Sequence, residues 1–221
     1  MPQKNLIKLK SKSLMNRRNA LKNLTLGMGY IVATPTIMSV LSSCTAEVET
    51  WKPLFLSNKQ KHLVTHLVDI ILPSSNIPGA LDVNVPQFID KMFNDVESEF
   101  NQKIFQKGAA VFAQKFEATF EEKAEKGSKE SVQQLFETYF KLSEEDTQTI
   151  MQEQKLTEEE VSANRKDDYL AYKFLFSVRS YTLFGYYTSE KVGEEILSYD
   201  PVPGSYQGCI PLADIGNAWS L

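Results

Sequence analysis

Residues 168–187 read DYLAYKFLFSVRSYTLFGYY, and the fold depends on this segment. Its length predicts a helix of about 30 Å, at about 1.5 Å per residue. Apolar side chains lie on every side of this helix: Leu170, Phe174, Val178 and Tyr181 on one, and Tyr172, Phe176, Leu183 and Tyr187 on the others. Such a helix is either buried or crosses a membrane. Because Lys173 and Arg179 argue against a lipid span, we predict the central helix of a bundle, with one side available to a partner.

The chain before this segment has apolar residues spaced three and four apart, which is the helical period. Ser57 is a suitable N-cap for a helix that ends near Leu72, before Pro73. Its predicted core stripe is Leu63, Leu67, Ile70 and Ile71. Further helices are predicted from Pro86, across 104–120 and across 132–142. We therefore expect an all-α fold: one irregular bundle of about five to seven helices, followed by a long, ordered, non-regular C-terminal segment.

That C-terminal segment, residues 185–212, reads GYYTSEKVGEEILSYDPVPGSYQGCIPL. Its prolines and glycines are incompatible with a single regular helix or strand. Its many tyrosines, however, are not typical of a disordered tail. Either the body of the protein or a partner must order it. We predict that it contributes to a partner interface, whose candidate residues are Tyr181, Tyr186, Tyr187, Tyr199, Pro201, Pro203, Tyr206 and Cys209.

Charge is distributed unevenly along the chain. Seven basic residues and no acidic residue precede Glu47. The remaining 17 basic and 28 acidic residues give the rest of the chain a net charge of −11. A body this acidic is repelled by phosphates, so nucleic acid is not an expected partner.

The N-terminal region has the order of an export signal. The stretch NRRNALK at 16–22 resembles a twin-arginine signal, with Arg17 and Arg18 as the pair, although Ala20 replaces the usual bulky apolar residue. An apolar stretch at 24–41 follows, diluted by glycine, proline and threonine. It ends at LSSC, which resembles a lipobox with Cys44 as the acylated residue. The alternative is an N-terminal anchor helix.

These signals divide the chain into three parts. We expect a signal peptide at 1–43 that is removed, a lipidated tether at 44–56 whose Trp51, Leu54 and Phe55 dock onto the body, and a helical domain at 57–221. The expected location is the periplasm of a Gram-negative bacterium, anchored by lipid to the inner or outer membrane. A lipidated Cys44 leaves Cys209 as the single thiol, either buried or paired between chains.

Motifs for catalysis or cofactor binding are absent from the sequence. His62 and His66 lie one helical turn apart with Asp69 beyond them, which is metal-ligand spacing, but no further ligand motif accompanies them. They are weak metal candidates, and the alternative is a pair of histidines at the solvent edge. No nucleophile elbow, phosphate-binding loop or haem attachment motif is present. We therefore predict no catalytic, cofactor or metal site in this chain.

Several stretches resemble one family. The sequences IILP at 70–73, IPGALD at 77–82 and VPQFID at 85–90 are similar to a signature of the gluconate 2-dehydrogenase subunit 3 family. The stretches YYTSEKVG at 186–193, DPVPG at 200–204 and GCIPL at 208–212 resemble its Bacteroidetes-type lipoprotein members. Residues 101–166 match only as generic helix.

The resemblance implies a non-catalytic small subunit of a periplasmic dehydrogenase. Its partner would be an FAD-dependent protein of the glucose-methanol-choline type that oxidises a sugar, sugar acid or glucoside, with a cytochrome c carrying haem as a possible electron acceptor. The small subunit would supply the twin-arginine signal for the pair, and would anchor and stabilise its partner. The alternative function is a free-standing envelope lipoprotein that binds a carbohydrate or another envelope protein.

Overall fold

The structure is a computed structural model that describes residues 51–200, 202, 204–205 and 208–220. The predicted signal peptide, with Arg17 and Arg18, and the predicted lipidation site, Cys44, lie outside the described residues. Eight α-helices are present in the described part: α1 Asn58–Ile71, α2 Val85–Asp95, α3 Glu99–Phe120, α4 Lys129–Phe140, α5 Glu144–Glu153, α6 Lys166–Tyr187, α7 Glu190–Glu195 and α8 Leu212–Ile215. The all-α bundle is confirmed. The count exceeds five to seven because the C-terminal segment contains two short helices, α7 and α8.

Helix α6 is the centre of the bundle, as the sequence predicts. It packs along α3 and also contacts α1 and α2. The two helices come close together at Gly108, where an added Cβ would lie 2.2 Å from the carbonyl oxygen of Leu170. Only glycine lets the two helices come this close. Aromatic rings fill the space around the contact, with ring centroids 4.1 Å apart for Phe93 and Phe105 and 5.0 Å apart for Phe105 and Phe174.

Helix α1 begins at the predicted N-cap. The Ser57 hydroxyl accepts the Gln60 N–H and the Gln60 side chain accepts the Ser57 N–H, so both orphan donors are satisfied in a capping box. The predicted core stripe is only partly correct. Leu63 and Leu67 are buried, but the other inward positions belong to Val64 and Val68, while Ile70 and Ile71 are half-buried. Ile70 and Ile71 belong to the last turn of α1, where fewer neighbouring residues cover the helix.

The segment that enters the domain is held by a buried carboxylate. Asp90 in α2 is fully buried and accepts the backbone N–H groups of Leu54, Phe55 and Leu56 at 2.7, 3.0 and 2.8 Å. The Phe55 ring stacks on Phe93 at 5.4 Å. Leu54 contacts the body as predicted, although its side chain is 65% exposed. Its backbone makes this contact.

The connection between α1 and α2 is a tight, hydrogen-bonded loop. An added Cβ at Gly79 would lie 2.4 Å from the Ser74 backbone nitrogen, so the turn requires glycine. The Asp82 carboxylate accepts the Ser74 hydroxyl and the Gly79 N–H, and the hydrogen bond from Ser74 is the main reason that the pKa of Asp82 is lowered. Asn84 adopts the left-handed conformation, with φ 57°, immediately before α2. The loop is therefore part of the ordered body.

No helix within the described residues is long and apolar enough to span a membrane.

Candidate partner interface

Exposed aromatic side chains from the end of α6 and from the segments that follow α7 and α8 line one groove. Four of them are between 50% and 55% exposed: Phe184, Tyr187, Tyr199 and Trp219. The groove has a volume of about 730 Å³, and Leu183 and Leu197 add apolar surface to it. Monomeric proteins rarely expose large aromatic clusters without a function. We name this surface the aromatic groove.

The far wall of the aromatic groove is the end of the chain, which returns to the segment after α7. The Ser198 N–H donates to the Ala218 carbonyl at 2.8 Å, and the Ser220 N–H donates to the Ser198 carbonyl at 2.9 Å. The Ser198 hydroxyl also donates to the Ile215 carbonyl at 2.7 Å. This isolated parallel bridge between Ser198 and Trp219 holds the Trp219 ring beside α6. The chain thus orders this part of its C-terminal segment by itself.

The structure separates the predicted interface tyrosines into two groups. Tyr187 and Tyr199 lie in the aromatic groove. Tyr186 is only 5% exposed, and its hydroxyl donates to the Pro78 carbonyl at 2.8 Å. The prediction that Tyr186 faces a partner is therefore corrected: this residue makes an internal contact. Adjacent residues on a helix point about 100° apart, so Tyr186 and Tyr187 cannot face the same way.

Tyr181 is also committed to the fold. Its hydroxyl donates to the Glu97 carboxylate across the bundle. Burial and that hydrogen bond raise the pKa of Tyr181 to about 12, and the same hydrogen bond is the main cause of the lowered pKa of Glu97. The phenol is therefore neutral, and the pair fixes α6 to the start of α3.

The remaining predicted interface residues are in the last part of the segment. Pro201, Pro203 and Tyr206 lie outside the described residues. Among the described residues, Cys209 is exposed and forms no disulfide, so this thiol is not buried by the chain itself. Neighbouring apolar side chains, Val202 and Leu212, are also largely exposed.

Two groove residues, Phe184 and Trp219, were missed from the sequence. Phe184 belongs to a helix that is apolar on every side, so no pattern indicates which side is left uncovered. Trp219 offered a usable signal, since it is one of only two tryptophans in the sequence and its large ring suggests that it packs against something.

The weak metal candidates lie elsewhere, on α1. The rings of His62 and His66 meet edge to face at 4.5 Å, and His62 Nε2 lies 2.7 Å from the Gly127 carbonyl oxygen. Asp69, the third candidate ligand, pairs with Lys129 at 2.5 Å. Within the described ranges, no group of three or more His, Cys, Asp and Glu side chains is arranged to hold a metal ion. The histidine pair is instead part of the contact between α1 and the start of α4.

Comparison with known proteins identifies the family. The family model of gluconate 2-dehydrogenase subunit 3 matches residues 58–204. The chain belongs to the gluconate 2-dehydrogenase subunit 3 family. No curated protein and no solved structure matched the chain. The resemblance to this family noted in the sequence is thereby confirmed, while the lipoprotein type stays a prediction, and the chain is an accessory subunit of a dehydrogenase, associated with a larger subunit.

The signature residues of this subunit 3 chain meet in space although they are far apart in sequence. Tyr186 bonds to Pro78 of the IPGALD stretch, and an added Cβ at Gly185 would lie 2.5 Å from the Phe88 ring of VPQFID. Asp90 of the same stretch holds the entering segment. The signature residues therefore pack against the end of α6, which also contributes residues to the aromatic groove.

Proposed function

We propose that this chain is the non-catalytic small subunit that escorts an FAD-dependent dehydrogenase through twin-arginine export, anchors it to the membrane and stabilises it. The catalytic partner is of the glucose-methanol-choline type and oxidises a sugar, sugar acid or glucoside. A cytochrome c accepts its electrons. The chain acts in the periplasm, held by lipid on Cys44.

One observation carries the proposal: the aromatic groove of an accessory subunit is uncovered in the isolated chain. Phe184, Tyr187, Tyr199 and Trp219 are half-exposed, whereas the large side chains of the core are fully buried. Aromatic side chains dominate the binding energy of stable interfaces, and the buried centre of such an interface is enriched in them. We therefore place the large subunit on this surface.

The escort and anchor roles are separable by experiment. The gene is deleted in the native host and restored as the wild type, as the double variant Arg17→Lys with Arg18→Lys, or as Cys44→Ala. We expect the flavoprotein to stay in the cytoplasm in the deletion strain and with the double-lysine variant. With Cys44→Ala it should reach the periplasm but no longer sediment with membranes.

Fractionation, flavin fluorescence and dehydrogenase activity measure these outcomes. Normal export and full activity of the flavoprotein in the deletion strain would refute the escort role. Extraction of the wild-type chain in mild detergent gives a second test. A yellow complex supports the proposal, whereas a colourless monomer supports the free-standing lipoprotein.

A further inference from the structure

The aromatic groove carries negative charge and no positive charge. Two glutamates of α7, Glu190 and Glu194, line it together with the four aromatic side chains, and both are exposed. No lysine, arginine or histidine belongs to the lining. Among the residues that the structure describes, neither carboxylate forms an ion pair. Both carboxylates are therefore available to a cation from outside this part of the chain.

The two carboxylates are neighbours on one face of α7. Glu190 and Glu194 are four positions apart in this helix, and like charges at that spacing repel each other and destabilise a helix. The nearest basic residues along the sequence, Arg179 and Lys191, do not line the groove, and Lys191 instead lowers the pKa of Asp82. No basic residue follows Lys191 in the sequence, whereas four acidic residues do. A cation bound between the two carboxylates would relieve their repulsion.

The aromatic rings of the groove leave room for a flat, charged group. Within the described ranges, none of the four rings stacks on another of them: Phe184 packs on Phe88, and Tyr187 packs on Tyr186. The faces of aromatic rings are negative and attract cations, most strongly in tryptophan. Backbone hydrogen bonds on both sides of Trp219 hold this residue in place. Rings and carboxylates thus favour the same kind of occupant.

We propose that the aromatic groove receives an arginine-bearing segment of the large subunit. The guanidinium stacks on the rings and donates hydrogen bonds to the carboxylates of Glu190 and Glu194. The assignment rests on the proposed function and names the chemistry that the partner presents. Arginine fits better than lysine, because its flat guanidinium stacks on aromatic rings and its fork of N–H donors matches a carboxylate. The groove volume of about 730 Å³ exceeds one side chain, so apolar neighbours of the arginine cover Leu183 and Leu197.

The first test measures binding of the flavoprotein, released from the complex of the native host, to the immobilised full chain in mild detergent. Glu190→Gln with Glu194→Gln should weaken binding about 2- to 30-fold, the range for losing two partly exposed ion pairs. Binding should also depend less on salt between about 50 and 500 mM NaCl, because salt screens charge pairs. The control, Glu122→Gln with Glu125→Gln, removes the same charge at exposed positions between α3 and α4 and should leave both properties unchanged.

Arginine footprinting identifies the group that enters the groove. The complex and the separated flavoprotein are treated with butanedione, which modifies arginine side chains, and mass spectrometry locates the modified residues. We expect an arginine of the flavoprotein to be protected in the wild-type complex and to react in the complex with the Glu190→Gln, Glu194→Gln variant. Protection of lysine amines alone, in a parallel acetylation, would overturn the proposal. So would equal affinities of the wild type and this variant.

These outcomes separate the occupant of the groove from the proposed function. If the wild-type chain binds the flavoprotein and the glutamine variant binds it equally well, the function stands and the cationic occupant is wrong. If the wild type binds no flavoprotein, the proposed function fails, and the isolated full chain is titrated with acetyl-Leu-Arg-Leu-amide and its uncharged counterpart acetyl-Leu-Gln-Leu-amide. Tryptophan fluorescence should then show tighter binding of the arginine peptide, and equal affinities would overturn the proposal. A dimer seen by light scattering and abolished by Phe184→Ser with Trp219→Ser would make a second copy the occupant and overturn it as well.

Discussion

The Asp90 carboxylate is fully buried and accepts three consecutive backbone N–H groups. A buried charge without partners is strongly unfavourable, but convergent N–H donors compensate for the lost hydration and form an anion-binding concavity. The hydrogen bonds join α2 to residues 54–56 and so determine where the chain enters the domain. If Cys44 carries a lipid, this contact is where the predicted tether is attached to the helical domain.

Replacement of Asp90 should therefore be costly. Asp90→Ala leaves three N–H groups without their acceptor, and we expect a loss of about 3 kcal/mol in the free energy of unfolding. Asp95→Ala, at an exposed position on the same helix, should change it by less than about 0.5 kcal/mol. Urea unfolding followed by circular dichroism measures both. Similar losses in the two variants would show that the N–H contacts contribute little.

His66 should make stability depend on pH. Burial lowers the pKa of His66, and the neighbouring His62 lowers it further. Lys129 also lowers this pKa, whereas Asp69 and Glu130 raise it by smaller effects than burial. The unfolded chain then binds a proton more readily than the folded one. The contribution of neutral His66 to the free energy of unfolding is fully present above about pH 6.5, the ordinary pKa of histidine. It is lost as the pH falls from there through the pKa of the folded state.

The measurement is the unfolding midpoint in urea between about pH 7.5 and 5.5 for wild type and His66→Gln. We expect the wild-type midpoint to fall with pH and the variant to show a smaller slope. The carboxylates with lowered pKa values titrate below their ordinary value of about 4.3 and do not contribute in this window. Identical slopes in both proteins would rule out His66 as the source.

At the level of elements, the pair of α3 and α6 is the main contact of the bundle. The helices were predictable because their apolar periodicity and caps are local properties of the sequence. Their closeness was not, because a single glycine such as Gly108 does not indicate which helix approaches it. The helix continues through this residue without a break from Glu99–Phe120, and the glycine serves to admit the backbone of α6.

Gly108→Ala tests this contact. Alanine would favour the helix by about 1 kcal/mol, but its Cβ would lie 2.2 Å from the Leu170 oxygen and 2.8 Å from the Phe174 Cβ. Neither atom is the end of a flexible side chain, so the helices must separate. We expect a net loss of about 2 kcal/mol in the free energy of unfolding. Gly204→Ala, where nothing lies within 4 Å, is the matched control and should be nearly neutral. A stabilised Gly108→Ala variant would contradict the close packing.

For the whole molecule, the aromatic groove predicts that binding and folding are separable. The double variant Phe184→Ser with Trp219→Ser removes two half-exposed rings. We expect it to weaken the complex with the large subunit by at least about 2 kcal/mol, roughly 30-fold, since such rings are typical hot spots. Its unfolding midpoint should stay close to that of the wild type.

The control is Phe100→Ser, which removes a 66% exposed ring from α3, outside the aromatic groove. Affinity purification followed by quantification of bound flavin measures the complex. Equal losses for the control and the double variant would mean that the groove is not the docking surface.

The sequence by itself determined the all-α class, the Ser57 cap, the central place of α6 and the family, because each depends on residues that are close along the chain. The candidate site was only partly predictable. Tyr187 and Tyr199, which the sequence analysis named, line the aromatic groove, whereas Tyr186 is an internal contact and Phe184 and Trp219 were not named. Only the tertiary structure decided which side of α6 remains uncovered and that Asp90 holds residues 54–56. Burial depends on neighbours from distant parts of the chain, and a helix that is apolar on every side carries no local record of them.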